Sequence, residues 1–79
     1  MRTSGRDANY FEGYEEPLSQ LENTFRAANV PIKLVLFVAP LNNRMVEITC
    51  KNERWKRLVC IEGASPAQAV KDVAAAVSI

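Results

Sequence analysis

Three sets of residues in this chain carry chemistry: two cysteines, a few carboxylates, and a group of cations around one tryptophan. A zinc site draws its four ligands from Cys, His and carboxylates, and the chain has no His and only two Cys, Cys50 and Cys60. Two cysteines are also too few for a disulfide framework. Both fall inside predicted strands, where a free Cys behaves as a small hydrophobe. Histidine-dependent acid–base or nucleophilic catalysis is excluded by composition. The carboxylates Glu15, Glu16, Glu22 and Asp72 have no partner at a meaningful spacing. A core this small leaves little room for a ligand pocket of ordinary size. The expectation is a protein that is not an enzyme, with no catalytic residues, no cofactor and no metal.

The cations are Arg44, Lys51, Arg54, Lys56 and Arg57, with Trp55 among them. Such a set can contact phosphate and stack on a base, as in proteins that bind single-stranded nucleic acid. Glu47, Glu53 and Glu62 dilute the charge, and a solvated hairpin tip has the same composition. The net charge of +1 also lacks the basic excess typical of a phosphate binder. Nucleic-acid contact by this hairpin and simple solvation of it both remain open.

The elements that position these residues belong to one small domain. Seventy-nine residues cannot build two cores, and 48% hydrophobic with 24% charged residues is ordinary globular composition. A single thin core gives marginal stability, so a partner that covers apolar surface is expected. Residues 1–13 are polar and without periodicity, and read as a flexible N-terminal tail, although Tyr10, Phe11 and Tyr14 can dock on something. The folded domain is expected over residues 14–79. The opening MRTSGRDANYFEG has no apolar core segment of a signal peptide. The apolar run Leu34–Pro40 is far shorter than the ~20 residues of a membrane span. A soluble, intracellular protein, cytoplasmic or nuclear, is the expectation.

Within the domain a first helix begins around Pro17, whose missing N–H costs nothing in the first turn, with Glu15 and Glu16 at the positive end of the dipole. Leu18, Leu21, Phe25 and Ala28 make one apolar stripe, and Asn29 with Pro31 ends it. Three strands follow. The first, Ile32–Val38, is nearly continuous apolar sequence and leads into the turn Ala39–Arg44. The second, Met45–Lys51, alternates Val46, Ile48 and Cys50 against Glu47, Thr49 and Lys51. After a tight hairpin at Asn52–Arg54, the third, Trp55–Glu62, splits Trp55, Arg57, Val59 and Ile61 from Lys56, Leu58, Cys60 and Glu62. A second helix has the clearest local signature: Gly63 breaks the strand, Ser65 is a good N-cap and Pro66 takes the first helical position. Ala69, Val70, Val73, Ala74 and Val77 form its small-residue face, which allows close packing on a sheet.

The order predicts an α+β fold, α-β-β-β-α, with a three-stranded antiparallel sheet and both helices on one face. From about Pro17 to Val77 the chain resembles the double-stranded-RNA-binding domain (dsRBD). The family's first helix has the form Pro-x-x-x-Leu followed by an acidic residue, here Pro17, Leu21 and Glu22. Its Gly-Pro-x-His loop corresponds to Ala39-Pro40-Leu41-Asn42, and Val46, Ile48 and Cys50 match the large apolar residues of its second strand. Its last helix opens Gly-x-Ser-Lys-Lys-x-Ala-Lys-x-x-Ala-Ala, against the stretch Gly63–Ala74 here. The resemblance implies the fold above and a place in RNA processing or RNA silencing.

The match departs at the residues that touch RNA. Lysines that bridge phosphates in the family are replaced by Pro66, Ala67 and Val70, and Asn42 stands for the loop histidine. Lys71 is shifted one place, about 100° around the helix. Losing three cations removes most of the counterion release that drives duplex binding, so weak or absent binding to double-stranded RNA is expected. Members of this kind dimerise or dock on a protein partner. That implies contact through the open sheet face or the third strand, whose free backbone groups can pair with a twin. If Val46, Ile48, Cys50, Val59 and Ile61 face the helices, Val35, Phe37, Leu58 and Cys60 lie on the other face as candidate interface residues. A different register would make those four residues core instead.

Overall fold

The structure, a computed structural model, describes residues 1–3 and 9–79. Along the described chain run β1 (Arg2–Thr3), α1 (Glu15–Ala27), β2 (Ile32–Ala39), β3 (Asn43–Cys50), β4 (Glu53–Cys60) and α2 (Pro66–Val77). The long strands β2, β3 and β4 form an antiparallel meander, and β1 adds to β2 in parallel to give the order β1-β2-β3-β4. The chain is therefore a small α+β domain with two helices and a four-stranded mixed sheet, not the three-stranded antiparallel sheet that the pattern predicts.

The difference has a physical cause. Arg2–Thr3 is too short and too polar to leave a period-two signal. Tertiary contacts hold it in place: the Met1 ammonium lies 2.6 Å from Glu22 Oε1, and the Thr3 hydroxyl donates to Glu15 at 3.3 Å. Arg2 then pairs with Val35 and Thr3 with Leu36.

Part of the segment expected as a flexible tail is thus built into the domain. Phe11, inside that segment, is completely buried in the core. The Tyr14 N–H donates to the Phe11 carbonyl, and the Tyr14 hydroxyl donates to the Ala64 carbonyl just before α2. Residues 4–8, also within the expected tail, lie outside the described residues.

The core sits between one sheet face and the two helices. Ile32, Leu34 and Leu36 from β2, Val46, Ile48 and Cys50 from β3, and Ile61 interleave with Leu18 from α1 and with Ala69 and Val73 from α2. Trp55 and Val59 of β4 pack against the same cluster. The faces fall as the alternation predicts, because side chains two apart on a strand share a face.

The second helix keeps its expected bounds and cap: Ser65 Oγ accepts the N–H of Gln68 at 3.1 Å, and Pro66 opens the helix. The first begins two residues earlier than Pro17, at Glu15, and ends where Asn29 turns into the left-handed region at φ 64°. Leu18 is its buried apolar anchor, with Leu21 and Phe25 packed beside the core, while Ala28 is exposed.

Candidate functional site: the open face of the sheet

On the helix-free face, strand pairing lays side chains in rows. Val35 of β2 lies opposite Glu47 of β3, which lies opposite Leu58 of β4. Next to that row, Phe37, Met45 and Cys60 form a second one, and Lys33, Thr49 and Lys56 a third. Directly opposed side chains in an antiparallel pair sit about 5 Å apart, so each row is a contiguous strip. Val35, Phe37 and Met45 are half-buried by one another and by their neighbours, Leu58 is 57% exposed, and Cys60 is exposed. All four candidates, Val35, Phe37, Leu58 and Cys60, therefore lie on one surface. Cys50 is a buried core residue, but Cys60 is not the buried hydrophobe that its strand position suggests.

Two further residues of this surface, Met45 and Glu47, were not among the predicted interface residues. Met45 sits between Phe37 and Cys60, which its alternation with Val46 already signals. Glu47 stands in the middle of the apolar strip, and Lys56 meets it at 3.5 Å. That ion pair neutralises the charge inside the patch at small energetic gain, because Lys56 is well exposed.

The basic cluster around the hairpin does not converge. Arg44 lies at the far end of the β3–β4 ladder, where its guanidinium pairs with Glu62 at 3.0 Å and donates to the Tyr10 carbonyl at 2.6 Å. Lys56 points to the open face. Arg57 points to the helix face, stacks over the Trp55 ring at 3.9 Å, and donates to the carbonyls of Ala76 at 2.7 Å, Val77 at 3.0 Å and Ile79 at 3.0 Å. The Ala76 and Val77 carbonyls in the last turn of α2, and the Ile79 carbonyl beyond it, thereby gain a cationic donor, which favours the negative end of the helix dipole. Trp55 packs against the core and its indole N–H donates to Glu53. Of the six residues proposed as nucleic-acid contacts, Arg44, Lys51, Arg54, Trp55, Lys56 and Arg57, Lys51 and Arg54 are the exposed cations at the hairpin end whose side chains meet no hydrogen-bond or ion-pair partner among the described residues.

A cleft of about 330 Å³ opens between that hairpin and the end of α2, bordered by Asn29, Pro31, Asn52, Trp55, Arg57 and Val77. The polar groups of Trp55 and Arg57 at its wall are already spent on Glu53 and on the helix carbonyls. Among the described residues no group of three Cys, Asp or Glu side chains is arranged to hold a metal ion, and no helix is long and apolar enough to cross a membrane.

Pro66 and Val70 are half-buried at the start of α2, Ala67 is exposed without charge, and Asn42 sits exposed in the β2–β3 loop. Comparison with protein-family models, with curated proteins and with solved structures finds no match to this chain.

Proposed function

We propose that this chain is a non-catalytic protein-interaction module with a dsRBD-like arrangement of elements, which docks on a protein through the open face of its sheet. One observation carries the reading: Val35, Phe37, Met45, Leu58 and Cys60 form a contiguous, largely apolar strip on the sheet face that, among the described residues, no helix covers. A monomeric domain of this size rarely leaves such a strip facing water without a use for it. The likeness of Pro17, Leu21 and the Gly63–Ala74 stretch to the RNA-binding family supports a role in RNA processing or silencing. The uncharged start of α2, at Pro66, Ala67 and Val70, supports weak or absent duplex binding. The alternative, nucleic acid bound by the hairpin, retains Lys51 and Arg54 as its exposed cations.

Sedimentation of the purified chain with and without a short RNA duplex at moderate salt tests the choice. The proposal expects no co-sedimentation with the duplex, and any assembly that forms is lost in Leu58→Glu. Tight, salt-sensitive duplex binding by a monomer, abolished by Lys51→Glu or Arg54→Glu, sinks it in favour of the hairpin.

A further inference from the structure

We infer that the open face takes an acidic amphipathic helix of a partner protein, its apolar residues on the Phe37 and Val35 rows and its carboxylates over the cations at the hairpin end. This rests on the reading of the open face as the interaction surface and adds the chemistry of the partner.

The net charge of +1 hides a separation of charges in space. Glu15 and Glu16 stand in the first turn of α1, whereas Asn29, just past its end, borders the same cleft as Asn52 of the hairpin. The acidic start of α1 is therefore at the far end of the domain from the hairpin.

The open face shows the same polarity. Lys33, Thr49 and Lys56 form its row nearest the hairpin, and Lys51 and Arg54 follow just beyond. Lys33, Lys51 and Arg54 are exposed, and among the described residues their side chains meet no hydrogen-bond or ion-pair partner. The carboxylates that could offset them are engaged: Glu47 on the face with Lys56 at 3.5 Å, and Glu62 past the end of β4 with Arg44 at 3.0 Å. An apolar strip thus runs into three unmatched cations, which calls for a partner that is apolar at one end and acidic at the other.

The spacing of the rows selects the shape of that partner. Side chains two apart on a strand are about 7 Å apart, and this is the interval between rows. Helix residues i and i+4 are about 6 Å apart along the axis. A helix laid along the strands then meets the Phe37–Met45–Cys60 row with one turn, the Val35–Glu47–Leu58 row with the next, and Lys33 and its neighbours with the one after. Its diameter of about 10 Å matches the distance from β2 across β3 to β4, two strand spacings of about 4.8 Å. The sequence required is apolar at i and i+4 and acidic at i+7 and i+8, in either direction along the helix.

The two parts of the face divide the work. Exposed ion pairs add little affinity each, so the apolar rows hold the helix while the cations speed encounter and fix which way it lies. A nucleic-acid backbone matches the cations but leaves Val35, Phe37, Met45 and Leu58 facing polar phosphates and sugars.

Two synthetic helical peptides test this on the unmodified protein, one with Leu at i and i+4 and Glu at i+7 and i+8, the other with Lys in place of Glu. At low salt the Glu peptide shifts the backbone amide signals of Lys33, Val35 and Leu58, and the Lys peptide binds at least tenfold more weakly. Lys33→Glu, a change at an exposed position, weakens the Glu peptide and strengthens the Lys peptide. If both peptides bind equally and Leu58→Glu abolishes both, the open-face reading stands and the acidic partner falls. If neither shifts these signals at millimolar concentration, both fall. Phosphatidylglycerol vesicles or a single-stranded RNA that shift the same signals at lower concentration than the Glu peptide overturn the inference in favour of a lipid surface or a phosphate chain.

Discussion

Glu22 reaches from α1 to the edge of the sheet and accepts the backbone N–H of Leu34 at 2.8 Å, with its carboxylate buried to 1% exposure. Its other oxygen meets the Met1 ammonium at 2.6 Å and the Arg26 guanidinium at 3.5 Å. One carboxylate thus ties α1, β2 and the start of the chain together. A buried charge is tolerated here because its oxygens are met by donors.

Removing that carboxylate leaves the Leu34 N–H and the Met1 ammonium without their acceptor. Glu22→Ala is expected to cost about 3 kcal/mol, the loss seen when one partner of a buried pair is deleted. Urea unfolding followed by circular dichroism measures it. A loss under about 1 kcal/mol would show that the carboxylate is solvated instead.

Phe11 tests whether the start of the chain is part of the domain. It is fully buried among core residues. Phe11→Ala is expected to lower stability by about 3 kcal/mol or more, as for other buried aromatic truncations. A flexible tail would leave the unfolding midpoint unchanged.

Leu41 sits in the β2–β3 loop at φ 68° with 92% of its surface exposed. A left-handed backbone costs an L-residue roughly 1 kcal/mol, and the exposed side chain returns little packing. Leu41→Gly should therefore raise stability, by up to about 1 kcal/mol, measured by thermal or urea unfolding. A destabilised variant would mean that the side chain makes contacts on which the fold depends.

Arg57→Ala removes the donor shared by the carbonyls of Ala76, Val77 and Ile79. Hydrogen bonds to a charged donor are worth about 2 kcal/mol, and the loss should appear as fraying of the last turn of α2. Faster amide exchange at Ser78, whose N–H bonds to Ala74 and Ala75, is the local readout. Exchange that speeds up equally throughout the chain would show a global loss with no special role at the helix end.

The secondary structure was legible from local chemistry because each signal there is short-range. Ser65 and Pro66 set the start of α2 through a cap and a missing N–H, and the alternation in Val46–Cys50 and Trp55–Ile61 set which side chains share a face. The period left the face of Val35, Phe37, Leu58 and Cys60 conditional on register, and the strand pairing places all four on the open face. What the tertiary structure decided was everything held by contacts distant in sequence. Arg2–Thr3 pairs with β2 where Glu22 holds Met1 and Glu15 holds Thr3, and Phe11 fills a place in the core that the packed sheet and helices leave. The basic residues of the hairpin look like one patch in the linear chain. A strand sends successive side chains to opposite faces, and Lys56 goes to Glu47 while Arg57 goes to the carbonyls of α2. Composition along a chain reports which charges are near in sequence; only the pleat and the partners across it determine which of them stay free.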